Sequence, residues 1–325
     1  MKKVCFIVPY FGELPNYFQL FLESCSINEN YEWLIITDDQ YQYNYPKNVR
    51  RIVMSFEELR TMVSSKFDFK ISLDTPRKLC DYKPAYGFIF EKYLDGYEYW
   101  GHCDIDTIMG NLDNFLPPLL EKKYDKIFTL GHFILYKNSK ENNRRFMKSF
   151  KGCYLYKQSF QTDDITTFDE TYGNDNNVNS VFIENGAKVY EKDLSFNVNL
   201  YISRFTRIVY SNKQYITLKY PLKILFIWSK NGLRYFYVEN NKLKSKKVMY
   251  IHLQQRKMKI NRNLRYNDSP FAIIPNEFYS LNGKIPVSVD DFYKLKRNAF
   301  SFQREKMFFK WKWFGLKKKI KALFK

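Results

Sequence analysis

Cysteine is scarce and odd in number in this 325-residue chain, which holds only Cys5, Cys25, Cys80, Cys103 and Cys153. None is spaced CxxC from another, which argues against a disulfide framework and a zinc site and fits a reducing cytoplasm. Long apolar runs are also missing. Crossing a bilayer takes roughly 20 apolar residues, and no window approaches that length, so any membrane contact is expected to be peripheral. The opening MKKVCFIVPYFG carries an apolar run that stops at Pro9, short of the about 7–15 residues of a signal-peptide core; a first buried strand is expected there instead. No internal repeat, low-complexity linker, helix-turn-helix, zinc-finger or RNA-binding signature is present. Acidic residues are outnumbered, 34 against 53 Lys and Arg, giving a formal net charge of +19.

What is present is core material. Hydrophobic residues make up 45% of the chain and aromatics 19%, so the positive charge sits on a folded body rather than a disordered one. Such a charge attracts nucleic acid, a phospholipid surface or phosphorylated substrates, and by itself does not choose among them. Its distribution is uneven: residues 301–325 hold nine Lys and Arg against Glu305 alone. Phe309, Trp313, Leu316, Ile320 and Leu323 recur there at helical spacing, with lysines over the rest and Gly315 interrupting. That pattern describes an interfacial helix lying on anionic phospholipid; the alternative is a helix packed on its own domain or on a dimer partner.

The rest of the chain alternates between strand and helix signals, which predicts an α/β fold. KVCFIV (3–8) and WLIIT (33–37) are short buried-strand runs, with a helical pattern of Leu14, Phe18, Phe21, Leu22 and Cys25 between them. A third run, Arg51–Met54, leads to Ser55 and Glu58 at capping-box spacing. KPAYGFIFEKYL reads as a helix feeding the strand YEYWGHCD, and KIFTLGHFILY reads as a later strand followed by a helix over SKENNRRFMKSF. From about 196 onward the pattern turns to β, with ILFIW and LRYFYV joined through Asn231-Gly232, and VMYIHLQ as the third strand of that region.

In YEYWGHCDIDTIMG a strand delivers Asp104 and Asp106 to its C-terminal end, where open α/β sheets place ligands. Residues i and i+2 there face one side, so both carboxylates can address one cation. Hard oxygen ligands suit Mn²⁺ or Mg²⁺, and a divalent metal neutralises the charge that builds on a departing nucleoside diphosphate. A lone DxD is a weak signal that often decorates a solvated turn; two acids directly after an aromatic strand, between Gly101 and Gly110, form a stronger one.

DYKPAYG (81–87), WGHCDIDTIMGNL (100–112), LGHFILYKN (130–138), FDE (168–170) and YIHLQQRKM (250–258), in this order, resemble an uncharacterised bacterial group of GT-A-like proteins found with capsule and lipopolysaccharide genes. The series is also similar, more distantly, to retaining galactosyltransferases and glycogenin-like enzymes. The resemblance covers roughly residues 1–260 and implies a GT-A fold, a Rossmann-like nucleotide-diphospho-sugar transferase with a mixed sheet flanked by helices. It implies His252 as a third metal ligand beside Asp104 and Asp106; a core or strand-edge histidine is the alternative. Arg256 and Lys257 would then lie near the diphosphate, although the Pro that follows the His in the relatives is absent here. The PYFG loop (Pro9, Tyr10, Phe11) would wrap the nucleotide, with Asp38 reaching base or ribose. Lys83 is a further candidate contact to nucleotide or phosphate. His132, Asp169 and Glu170 are candidate acceptor-side groups, with Asp163 and Asp164 as rivals in the same polar loop.

The expected organisation is a catalytic domain over 1–260, an extension packing on it over 261–300, and a basic membrane-association tail over 301–325. The expected function is cytoplasmic, at the inner face of the cell membrane: metal-dependent transfer of a hexose from a UDP-sugar to a lipid-linked surface-polysaccharide or lipopolysaccharide acceptor, with retention. Two alternatives stay open, a nucleotidyltransferase or phosphodiesterase using the same acids, and a non-enzymatic basic protein binding membrane or nucleic acid.

Overall fold

A computed structural model describes residues 3–171, 175–199, 203–211, 214–219, 224–261, 264, 270–295, 306, 309, 312 and 313. The chain forms two compact units: Met1–Thr107 with Asn111–Leu194 and Val209–Ile216, and Ile108–Gly110 with Ser195–Ile208 and Thr217–Lys325.

The first unit opens as the apolar runs predict, with β1 (Val4–Pro9), α1 (Phe18–Ser26) and β2 (Tyr31–Thr37). β1 and β2 are parallel and buried almost throughout, because a parallel sheet is covered on both faces and its strands read as continuous hydrophobic runs. β3 (Val49–Val53) joins β2 and β4 (Tyr99–Cys103) joins β1, both in parallel. After β5 (Thr107–Met109), which belongs to another sheet, come β6 (Lys126–Ile127), β7 (Phe133–Lys137) and β8 (Val189–Tyr190). The seven-stranded order is β3-β2-β1-β4-β7-β6-β8, and β7 runs antiparallel to β4, so the sheet is mixed. Trp100 stacks on Tyr136 across β4 and β7 at 4.4 Å between ring centroids. Its indole N–H donates to Asn143 Oδ1 at 2.7 Å, which satisfies the ring's one polar group inside the core. α2 (Phe56–Ser64) starts in the capping box: Ser55 Oγ accepts from Glu58 N at 3.2 Å and Glu58 Oε2 accepts from Ser55 N at 2.7 Å.

Several expected elements come out differently. KIFTLGHFILY is two antiparallel strands, β6 and β7, because Leu130–His132 turns between them. The helix expected over KPAYGFIFEKYL is a chain of single turns, Lys83–Ala85, Tyr86–Ile89 and Glu91–Tyr93. SKENNRRFMKSF contains a 3₁₀ segment, Asn142–Met147. The Asn142 amide there is drawn to the carbonyls of Asp125 and Lys137 at 2.9 and 2.8 Å, away from a helix surface.

The second unit is mostly β. β9 (Phe196–Val198) lies in a five-stranded sheet with β10 (Phe205–Ser211), β11 (Gln214–Lys219), β15 (Tyr250–His252) and β5, in the order β11-β10-β9-β15-β5. The segment Val209–Ile216, which takes in the end of β10 and the start of β11, counts with the first unit. β12 (Leu225–Ser229) and β13 (Gly232–Glu239) form the hairpin signalled by Asn231-Gly232. The third strand of that region is β14 (Lys242–Val248), not VMYIHLQ, whose Tyr250–His252 passes to the other sheet as β15. β16 (Lys259–Ile260), β17 (Phe271–Ile274) and β18 (Glu277–Ser280) complete a six-stranded sheet, β14-β13-β12-β17-β18-β16. One face of it is closed by Phe292 of the helix Val289–Leu295, packed with Phe236, Ala272 and Tyr279.

Among the described residues no helix is long and apolar enough to cross a membrane. The basic tail expected over 301–325 lies outside the described residues except for Lys306, Phe309, Lys312 and Trp313, of which Phe309 and Trp313 are exposed.

Candidate functional site

Asp104 and Asp106 stand in the bend between β4 and β5. The bend is held by its backbone: Asp104 N donates to the His132 carbonyl at 3.0 Å, and Thr107 Oγ1 donates to the Asp104 carbonyl at 2.7 Å. Asp104 keeps part of its side chain open, at 30% exposure, whereas Asp106 is buried. The loop after β1 borders them. Pro9 ends β1, Tyr10 N donates to the Ile36 carbonyl at 2.8 Å, and Gly12 N donates to Asp38 Oδ1 at 2.9 Å. Asp38 therefore ties the PYFG loop to the end of β2. The Tyr10 hydroxyl is pushed up by burial and by the nearby Asp106. Phe11, expected at the nucleotide, is instead a core residue, buried and packed edge-on against Phe56 at 5.4 Å.

Lys83 is the hub of the site in the first unit. Its ammonium donates to Asp104 Oδ1 at 2.7 Å and to the Gly131 carbonyl at 2.8 Å, and lies 3.5 Å from Asp169 Oδ2. Burial works against that charge, but Asp104 and Asp169 outweigh it and hold the pKa well above the usual lysine value. Asp169 is sealed in; burial pushes its carboxyl up to about 7, opposed by Lys83 and reinforced by Glu170 and Asp104. Gly131 leaves room for this arrangement, because a Cβ there would sit 2.4 Å from Asp169 Oδ2. Gly131 N also faces Glu170 Oε2 at 3.4 Å. DYKPAYG, LGH and FDE, three stretches far apart in sequence, thus converge on one ammonium group.

Of the rival acids, Asp163 accepts from the Ser72 hydroxyl and Asp164 is exposed, with its carbonyl accepting from Lys78. His132 is buried, and its carbonyl serves the Asp104 bend. His102 lies between the rings of Tyr86 and Tyr136, and burial pushes its imidazole well below the usual value, so it is neutral. Two buried lysines carry contacts that the motifs did not assign. Lys78 bonds Asp81 at 2.8 Å, and Lys126 donates to the Phe128 carbonyl at 2.6 Å. Asp81 was visible inside DYKPAYG; Lys126 sits in an apolar run that gives no warning of its role.

In the second unit His252 ends β15 with Nδ1 3.1 Å from Asn197 Oδ1, while Gln254 Nε2 donates to the same Asn197 oxygen at 3.3 Å. Gln254 Nε2 also lies 3.2 Å from His252 Nδ1, so Asn197 and Gln254 together hold the ring by its Nδ1 edge and leave Nε2 as the nitrogen they do not engage. That is how a metal-binding imidazole is oriented. β5 lies next to β15 in the sheet, and Gly110 N donates to the Met249 carbonyl at 2.7 Å. A Cβ at Gly110 would meet the Val248 carbonyl at 2.1 Å, so only glycine allows this approach. Arg256 departs from the expectation of a phosphate contact. It is buried, and its guanidinium donates to the carbonyls of Pro275 and Asn199 and to Asn276 Oδ1, which fastens loops of the second unit. Lys257 is exposed.

No curated protein matches the chain. Among solved structures it is similar to the galactosyltransferase LgtC in complex with donor and acceptor sugar analogs, at 11% identity and a TM-score of 0.32, over 60% of this chain and 75% of that one. An active-site mutant of LgtC gives 12% identity and a TM-score of 0.32 over the same shares. A family profile described as a family of unknown function, DUF6625, matches residues 6–282, most of the chain, and the protein belongs to that family.

Proposed function

We propose that the protein is a divalent-metal-dependent glycosyltransferase that moves a hexose from a UDP-sugar to a lipid-linked surface-polysaccharide or lipopolysaccharide acceptor, with retention at the anomeric carbon. The observation that carries this reading is the donor set: Asp104, Asp106 and His252 are two acids and one histidine able to hold one metal ion. Chain continuity supports it, because β5 begins one residue after Asp106 and neighbours the strand that ends on His252. Two carboxylates and an imidazole held at its Nδ1 edge by Asn197 and Gln254 fit Mn²⁺ or Mg²⁺. Bound there, the cation supplies charge neutralisation for the departing diphosphate.

The remaining roles belong to the chain's own residues. Lys83 positions Asp104 and adds a fixed positive charge beside it. The Tyr10 loop and Asp38 border the nucleotide. Asp169, buried beside Lys83, orients the acceptor hydroxyl, whose proton passes to the departing diphosphate oxygen as the hydroxyl oxygen bonds the sugar and the sugar–phosphate bond breaks.

The test is a panel of UDP-sugars incubated with and without Mn²⁺, following release of intact UDP. Release of UMP or pyrophosphate instead would indicate a nucleotidyltransferase or phosphodiesterase. Changing Asp104→Ala and Asp106→Ala together is expected to lower turnover by about 100-fold or more, the scale of a lost metal contribution, and to abolish thermal stabilisation by UDP with Mn²⁺. Full activity in that variant would sink the metal assignment.

A further inference from the structure

The motif DYKPAYG carries two charged residues two positions apart, and only one of them touches the acids of the candidate site. Lys83 reaches Asp104 and Asp169. Asp81 turns the other way and is completely buried. Its Oδ2 accepts from Thr166 N at 3.0 Å and its Oδ1 accepts from Phe168 N at 3.0 Å, so one carboxylate spans the backbone just ahead of Asp169. Lys78 Nζ donates to the same Oδ2 at 2.8 Å and also to the Asp164 carbonyl. Both oxygens and the ammonium are thereby engaged, the condition under which a buried ion pair is tolerated.

What the carboxylate grips has an unusual shape. Thr167, between the two bonded amides, takes a left-handed backbone with φ of 55°, a conformation that a β-branched residue adopts only under constraint. Its hydroxyl donates back to the Thr166 carbonyl at 2.7 Å. Beyond it, the buried Phe168 passes its carbonyl to Val178 N at 2.8 Å, and Thr171 N bonds the Thr129 carbonyl at 3.1 Å. Asp169 therefore leaves a segment anchored on both sides, with the upstream anchor supplied by Asp81.

We infer that Lys78 and Asp81 form a positioning latch for Asp169: Asp81 pins the Thr166–Phe168 turn so that the Asp169 carboxyl faces Lys83 and the space left by Gly131. Both are positioning residues acting through the backbone. The proposal deepens the reading of the site as a glycosyltransferase centre and rests on it only for the effect on turnover; the effect on backbone order stands alone.

Amide hydrogen exchange of the whole chain, read over 164–171 and over β1 and β2, tests the latch without assuming an activity. In the unchanged protein the Thr166 and Phe168 amides should exchange as slowly as those of β1. In Asp81→Asn, where one acceptor oxygen is replaced by a donor amide, protection over 166–168 should fall at least about 10-fold while β1 and β2 keep theirs. Binding of Mn²⁺ alone, followed by thermal shift, should not change. If transfer of sugar is found, kcat should fall about 100-fold with little change in donor KM, the scale for a displaced group near the chemistry. Should Asp81→Asn fail to fold, Lys78→Met combined with Asp81→Asn removes the lone buried charge and is read the same way. Unchanged exchange over 166–168 in whichever variant folds would overturn the latch, as would fast exchange of these two amides in the unchanged protein. Absence of any sugar transfer by the unchanged protein would instead overturn the function and leave the exchange result to decide the latch.

Discussion

Lys83, largely buried, and Lys126, fully buried, are both ammonium groups inside the first unit, and their surroundings push them in opposite directions. Lys83 has carboxylates at contact distance and stays charged. Lys126 has a carbonyl, the Asn179 amide oxygen and the face of Tyr136, so burial pushes it down to about 7 despite Glu191 and Asp169. An unfolded lysine titrates near about 10.4. Between about 7 and that value the unfolded chain binds a proton that the folded chain does not, so this group makes stability rise with pH across the window and adds nothing to the slope below it. Urea midpoints measured from pH 7 to 9.5 should show this rise, on the order of 2–3 kcal/mol, and Lys126→Met should flatten it. A slope unchanged by the substitution would mean that Lys126 is charged when folded. At this scale the site was partly legible: Asp104, Asp106, Lys83 and Asp169 each sit in a short motif with chemistry of its own. Phe11 and Arg256 stand where the motif pattern puts ligand contacts, and only packing shows that one fills the core and the other fastens loops.

Elements were legible where their signal was local. The capping box at Ser55 and Glu58 predicts the start of α2, and both reciprocal bonds form. Ser55→Ala should cost about 1 kcal/mol, and Glu58→Ala less, measured by urea denaturation. The loss should be smaller at low pH, because the cap bonds hold the Glu58 carboxyl below its usual value and protonation removes part of its acceptor strength. Signals that depend on distant partners were not legible. KIFTLGHFILY is one apolar run, and its break into β6 and β7 follows from β7 turning to pair with β4. KLKSKKV, with one leucine among lysines, has no strand composition; it becomes β14 because β13 offers a ladder from Leu233 to Glu239. VMYIHLQ looked like the third strand because it is the more apolar of the two, and its burial serves the neighbouring sheet instead.

For the whole molecule, the formal charge of +19 is the strongest statement about its surroundings. The composition of 301–325 proposes an anionic phospholipid surface as partner, with about 1 kcal/mol of attraction per cation near that surface. Sedimentation with phosphatidylglycerol vesicles at low salt should retain the full chain, and deletion of 301–325 should weaken binding by more than ~10-fold, with both losing affinity at high salt. Equal binding by both would move the contact elsewhere on the basic surface. β14 also has a consequence at this scale. It is the outermost strand of its sheet, and Lys242, Lys244, Lys246 and Lys247 all reach solvent along it. Among the described residues β14 has no neighbour on its outer side, and a second copy pairing its own β14 there would set its lysines against these, so repulsion disfavours that edge-to-edge pairing. The lysines that hide this strand from a reading of the sequence are the same ones that set a second β14 against it.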